Sequence, residues 1–303
     1  MSSSFVFNRV ALIGMGLIGS SIARAARAQG AARSIVATAR SQATRRRVAE
    51  LGLADQVVET NAAAVEGADL VILCIPVGAA GAVAAQISSH LAANATVSDV
   101  GSVKGAVMRD VLPHIPAGVH FVPAHPVAGT ENSGPDAGFA ELFVNRWCIL
   151  TPAADTDPAA VQRLEKFWRL LGANVEIMSA EHHDLVLGIT SHLPHLIAYT
   201  IVGTADELSQ VTRSEVLQFS AGGFRDFTRI AASDPTMWRD VFLANKDAVL
   251  EMLGRFQEDL AALTRAIRRG IVEIGQDSPA PDFGRPHRGL PHERLPRPYS
   301  VDP

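Results

Sequence analysis

Arg9-Val10-Ala11-Leu12-Ile13-Gly14-Met15-Gly16-Leu17-Ile18-Gly19 decides the fold. Arg9–Ile13 reads as a short buried strand, and Gly16–Gln29 as an Ala-rich helix that stops at Gly30. Between them stands G-x-G-x-x-G, which on its own is a weak signal. A strand before it and a helix after it give it meaning as a dinucleotide-binding turn. Gly14 allows the tight turn, Gly16 lets the backbone approach a pyrophosphate, and Gly19 lets helix and strand pack closely. Leu17 and Ile18 complete the loop. The helix start faces the phosphates with free N–H groups and its positive dipole end.

The alternation continues outward. Strands are expected at Ser34–Ala39, Val57–Glu59, Leu70–Ile75, Thr96–Asp99, His120–Ala124, Trp147–Thr151 and Asn174–Ile177. Helices are expected at Arg45–Leu51, Ala79–Leu91, Val103–Leu112 and Asp157–Leu171. That rhythm implies a parallel sheet with helices on both faces. After about Ala180 strands vanish and apolar residues recur at helical spacing. The fold class is therefore α/β: a Rossmann-type dinucleotide-binding domain over 1–178, then an all-helical domain over 179–275. The stretch 276–303 holds seven prolines and four arginines without apolar periodicity, and reads as a disordered tail.

Composition narrows the function. The 303 residues are 48% apolar and 19% charged, with a net charge of −4. No basic surplus points to nucleic acid. Cys74 and Cys148 are the two cysteines, each in an apolar run, so neither a disulfide framework nor a Cys-rich metal site is expected. A reducing, cytoplasmic compartment is the simplest setting. The first 25 residues loosely mimic a secretory signal, but three glycines interrupt the apolar stretch. Nowhere does an uninterrupted apolar run reach the roughly 18 residues of a spanning helix, so no membrane partner is expected.

The end of the second strand bears on the cofactor. An NAD site places an acid about 20 residues beyond the glycines, on the ribose hydroxyl. Here Thr38-Ala39-Arg40-Ser41 stands instead, with no acid. Arg40 can meet a 2′-phosphate and Thr38 and Ser41 can add hydroxyls, which favours NADP over NAD. Pro76, at the end of the third long strand, joins the cofactor set.

Two clusters lie beyond strand ends, where sites in such sheets open: Ser98–Lys104 and His125–Glu131. A third, Gly222–Arg229, lies among the helices. His125 is the acid/base candidate, because its intrinsic pKa lies near working pH. It reads as a loop residue. His182-His183 reads as a solvated helix start after Ser179.

In order along the chain, Ile13–Gly19, Asp99–Lys104, His125–Gly134, Ser191–His195 and Gly222–Trp238 resemble the prephenate/arogenate dehydrogenase family of tyrosine biosynthesis. The resemblance implies a helical domain that dimerises and an active site between the domains. It implies NAD(P)-dependent oxidative decarboxylation of prephenate or arogenate, without a metal. His125 matches the catalytic histidine and Ser102 a serine that orients it. Arg229 matches the arginine that grips a substrate carboxylate. His195 is a further pocket residue, with Thr130 and, more weakly, Lys104 in the substrate set. Asp226 and Trp238 match motif positions. Neither a fused mutase segment nor a regulatory domain is expected.

Two other readings stay open. A β-hydroxyacid dehydrogenase would use a lysine among the helices, and Asn245-Lys246 suits that reading. A redox sensor would bind NADP without turnover.

Overall fold

The computed structural model describes residues 5–130, 132–211 and 221–270, the side chains at 209–211 excepted. Glu131 and the stretch 276–303, read as a disordered tail, lie outside the described residues. Residues Met1–Leu253 and Gly254–Pro303 form two compact units.

Six strands make one parallel sheet: β1 (Phe7–Ile13), β2 (Ala32–Thr38), β3 (Gln56–Val57), β4 (Leu70–Leu73), β5 (Thr96–Asp99) and β6 (His120–Phe121). Their order is β3-β2-β1-β4-β5-β6, so the strand order reverses between β1 and β4, where doubly wound sheets bind dinucleotides. The helices α1 (Leu17–Ala28), α2 (Gln42–Glu50), α3 (Asn61–Val65), α4 (Ala80–Ile87) and α5 (Lys104–Val111) fill the crossovers. Both faces of the sheet are buried. Val10, Leu12, Leu70 and Ile72 join the core on one face, with Ile22, Phe143, Leu164 and Trp168. Ala11, Ile13, Val71 and Leu73 join the other, with Val97, Val107, Trp238 and Val241. Alternate residues of one apolar run therefore serve two cores, which is why the strands read as continuous apolar stretches.

A difference from the sequence reading follows β6. Only Val122 and Pro123 separate it from β7 (Ala124–Pro126), too few for the crossover that a parallel neighbour needs. The chain starts a second sheet instead, of order β7-β8-β9. β8 (Trp147–Leu150) runs antiparallel to β7, and β9 (Asn174–Ile177) parallel to β8 after α6 (Pro158–Leu170). His125 is thus a strand residue opposite Ile149, not a loop residue.

Beyond Ile177 every described element is helical: α7 (Ala180–Leu187), a π-helical turn at Gly188–His192, α8 (Leu193–Val211), α9 (Gly222–Thr228), a 3-10 turn at Arg229–Ala232, α10 (Pro235–Ala244) and α11 (Lys246–Arg268). By length and apolarity the run Ala180–Leu208 could cross a membrane. It instead carries four polar residues of the site described next.

Candidate active site

Pairing sets the frame. Ile13 pairs with Leu73, and Leu73 with Asp99, so three strand ends lie in one row. At about 4.8 Å per strand, the glycine loop and Asp99 sit roughly 10 Å apart along the edge where the sheet opens.

Geometry supports the glycine reading. Gly14 has φ +99°, and a Cβ there would lie 2.2 Å from the Cys74 carbonyl oxygen. Its N–H donates to the Thr38 carbonyl at 2.9 Å. A Cβ on Gly19 would lie 2.2 Å from the Gly14 carbonyl oxygen. By contrast, a Cβ on Gly16 would meet nothing within 4 Å. Gly16 is the N-cap of α1, and no side chain caps the helix there. Free N–H groups facing open space fit a pyrophosphate. Leu17 and Ile18 pack against the first core beneath. Cys74 and Ile75 brace the loop, and Pro76 follows, exposed. Thr38 is buried, so it serves the loop through its carbonyl. Ser41 caps α2, its hydroxyl accepting from Thr44 N–H at 3.0 Å. Arg40 is exposed, and pairs with no carboxylate among the described residues.

At the end of β5, the Asp99 carboxylate organises the backbone. Oδ2 accepts from Gly101 N–H at 2.8 Å and from Lys104 Nζ at 2.5 Å, and Oδ1 from Ala124 N–H at 3.2 Å. Lys104 Nζ also donates to the Ala124 carbonyl at 2.7 Å. Lys104 is 0% exposed, so the carboxylate-binding role suggested for it has no route to a ligand. Burial pushes its pKa down, against the pull of Asp99. Its place is structural: it fastens β7, and therefore His125, to the end of β5.

His125 is buried, and its Nδ1 lies 2.9 Å from Nε2 of His183. His183 is 0% exposed, and its Nδ1 lies 2.8 Å from Asp184 Oδ1. Asp184 Oδ1 also accepts from Lys104 N–H at 2.7 Å, and Oδ2 from Gly105 N–H at 2.8 Å. One carboxylate from α7 thereby caps α5, whose N-cap Val103 has no capping group of its own. Burial lowers the pKa of His125 well below the ordinary histidine value, helped by His183, Lys104 and His192. Burial lowers that of His183 too, against the pull of Asp184. Both shifts favour the neutral ring at pH 7.

Next to them stand two more histidines. Asn245 Nδ2 donates to the Asp184 carbonyl at 2.8 Å and lies 3.0 Å from His192 Nδ1. An amide nitrogen only donates, so His192 Nδ1 accepts. Burial lowers the His192 pKa to about 4. His195 Nδ1 donates to the Ser191 carbonyl at 2.8 Å, and its ring stacks on Trp238 at 3.6 Å. His192 meets the same indole edge-on at 6.0 Å.

The other residues named from the sequence lie further out. Ser102 is half-buried just before α5, and its hydroxyl does not bond to His125; His183 does. Thr130 is exposed, its hydroxyl accepting from Asn132 N–H at 3.3 Å. Arg229 is exposed, on the 3-10 turn that packs against α8, which carries His195. Tyr199 Oη ties that turn to α8 through the Ser233 carbonyl at 2.7 Å. Asp226 is exposed and Trp238 buried. Lys246 is exposed at the start of α11, while its neighbour Asn245 is the residue in the cluster.

Sequence reasoning missed His183, Asp184 and Asn245. A signal existed for the first two. Ala180, His183, Asp184, Leu187 and Gly188 fall at i, i+3, i+4, i+7 and i+8, the spacing of a buried helix face.

Comparison with known proteins completes the picture. A model described as prephenate dehydrogenase, nucleotide-binding domain, matches residues 22–177. One described as prephenate dehydrogenase, dimerization domain, matches 179–275. The chain is 45% identical over 262 residues to the cyclohexadienyl dehydrogenase of Zymomonas mobilis, covering 86% of this chain and 89% of that one. It is similar to a crystal structure of prephenate dehydrogenase from A. aeolicus in complex with hydroxyphenyl propionate and NAD+ (TM-score 0.82, 35% identity, 90% of this chain and 94% of that one). It also resembles Synechocystis arogenate dehydrogenase (TM-score 0.73, 27% identity, 86% and 92%).

Proposed function

The chain belongs to the prephenate dehydrogenase family, and we propose that it catalyses NAD(P)-dependent oxidative decarboxylation of prephenate or arogenate, giving 4-hydroxyphenylpyruvate or tyrosine. The observation that carries this reading is the state of His125. Its Nδ1 is taken by His183, which leaves Nε2 of a neutral ring to meet a ligand. A nicotinamide bound on the glycine loop would supply the hydride acceptor.

His125 Nε2 accepts the ring-hydroxyl proton as the carbon beneath it gives up hydride. The new carbonyl draws electrons as CO₂ leaves the opposite ring carbon, and the ring becomes aromatic. His125 then returns its proton to the phenolate oxygen. Arg229 suits a carboxylate partner, since its planar fork pairs in bidentate fashion. His195 and Thr130 complete substrate binding, and Ser102, half-buried before α5, belongs to the same pocket. Lys246, exposed and outside the cluster, does not favour the hydroxyacid alternative.

Gly14, Gly16, Leu17, Ile18, Gly19 and Pro76 hold the dinucleotide. Arg40 and the Ser41 hydroxyl favour NADP. The chain works in the cytoplasm as a homodimer of nucleotide-binding (1–178) and helical (179–275) domains. Exposed Ile201, Val202 and Leu208 on α8 suit pairing through the helical part.

Initial rates with prephenate or arogenate, each with NAD or NADP, test this. Reduced cofactor and the aromatic product should form in at least one combination. Folded, nucleotide-binding protein that is silent in all four would sink the reading. Arg40→Asp should cut the NADP-to-NAD ratio of kcat/KM by about tenfold or more, through loss of one charge pair with phosphate; an unchanged ratio would remove Arg40 from the cofactor site.

A further inference from the structure

We propose that His183, itself held by Asp184, is a positioning residue that fixes His125 as the Nδ1–H tautomer, so that Nε2 presents a lone pair to the substrate. The inference deepens the function proposed above and rests on it. Its argument is one of direction. Asp184 Oδ1 accepts from Lys104 N–H and Oδ2 from Gly105 N–H, so this carboxylate receives hydrogen bonds. At 2.8 Å from it, His183 Nδ1 is therefore the protonated nitrogen. A neutral His183 then has a lone pair on Nε2. That atom lies 2.9 Å from His125 Nδ1, which must donate to it. A neutral His125 is left with its lone pair on Nε2. The orientation passes from carboxylate to ring to ring, and the opposite tautomer of His125 would set two lone pairs against each other.

The rings stand edge to face, 71° apart with centroids 5.1 Å apart, which fixes the plane of His125 as well as its proton. Asp184 is placed by close approach to Gly105, where a Cβ would lie 3.0 Å from Oδ2. Nothing on the strand that bears His125 supplies this control. It comes from α7, 58 residues away.

Four variants divide the proposal from a merely structural role. His183→Gln offers an amide oxygen near the Nε2 position and keeps an acceptor for His125. His183→Asn offers a donor to Asp184 but no acceptor at that distance. His183→Phe offers neither. Gly105→Ala keeps both histidines and displaces the carboxylate. Two readouts are taken on the full chain. One is the tautomer of His125, from ¹⁵N-histidine spectra at pH 7.5 without substrate. The other is kcat and both KM values with the active substrate and cofactor pair.

The native chain should show Nδ1–H on His125. His183→Gln should keep that tautomer and most of kcat. His183→Asn and His183→Phe should mix the tautomers and lower kcat by about a hundredfold, the lower end of the general acid–base range, with the cofactor KM unchanged. Gly105→Ala should mix them in part. A native His125 protonated on Nε2 would overturn the proposal. So would His183→Gln behaving no better than His183→Asn, or a folded His183→Phe with native kcat. If His183→Phe does not fold, His183→Gln and Gly105→Ala still decide. The tautomer is read without turnover, so a failed substrate assignment is distinguishable from a failed relay.

Discussion

The glycine loop and the helical run from Ala180 to His195 meet at one edge of the sheet, yet they are built on opposite rules. In the loop the backbone does the work. Gly14 and Gly19 let main chain approach main chain, and Gly16 leaves room for a ligand. Each requirement is met by a missing side chain at a fixed spacing. In the helical run side chains do the work: His183 bonds to its neighbour Asp184, and Asn245 reaches the Asp184 carbonyl and His192 across 61 and 53 residues. Gly14 and Gly19 of the first region have no room for an added atom, and the second tolerates no lost partner.

The sharpest way to break the comparison is at the junction. His125→Asn keeps a donor for His183 but removes Nε2. We expect kcat to fall about a thousandfold, within the range of general acid–base catalysis, while the nucleotide dissociation constant stays within a factor of two. A variant with near-native kcat would take His125 out of the chemistry. Loss of nucleotide binding as well would show that the two regions are not separable.

Lys104→Met tests the rule of the lost partner. The ammonium is enclosed by Asp99 and the Ala124 carbonyl. Removing one partner of a buried pair leaves the other charge stranded, at about 3–5 kcal/mol. Urea unfolding should register that loss. A surface-like change below about 1 kcal/mol would mean that Asp99 finds other company.

Acid acts on the histidine cluster. Burial holds His192 at about 4, and lowers His125, His183 and His195 as well. The folded pKa values lie below those of the unfolded chain, so the unfolded chain binds more protons between them. The histidines' contribution to stability is therefore steady above pH 6.5 and falls as pH drops from about 6.5 toward 4, by about 3 kcal/mol for His192 alone. Urea midpoints at pH 7.5, 6 and 5 would show the slope. His192→Asn should reduce it, and a slope untouched by that change would assign the acid sensitivity elsewhere.

The two regions differ as much in how they can be read. Leu70–Leu73 stands inside the expected Leu70–Ile75, because a strand buried on both faces writes itself into consecutive apolar residues. The glycine turn is legible for the same local reason. His183 is not. Ser179 does cap α7, its hydroxyl accepting from His182 N–H at 3.2 Å, and His182 is exposed as expected. Its neighbour faces inward, and no local feature says that an aspartate and two histidines will find one another there. β7 is hidden differently. Three residues are too few to show a period, and their antiparallel partner begins 22 residues after His125. Lys104 misleads because the same side chain serves a ligand or a carboxylate, and only its burial tells which.

The mildest test returns to the loop. Gly19→Ala adds one carbon 2.2 Å from the Gly14 carbonyl oxygen, where backbone, and not a flexible side chain, must yield. Alanine is the better helix former by about 1 kcal/mol, so an exposed site would be stabilised by the change. Here forced overpacking costs about 1–3 kcal/mol, and the two terms nearly cancel in the melting temperature. They do not cancel in binding. A shifted Gly14 moves the turn that shapes the pyrophosphate site, so nucleotide affinity should fall several-fold while the His125 tautomer stays native. Weakened binding with an intact tautomer would confirm that the two regions fail independently. A tautomer that changed along with affinity would show that the loop and the histidine chain respond as one body.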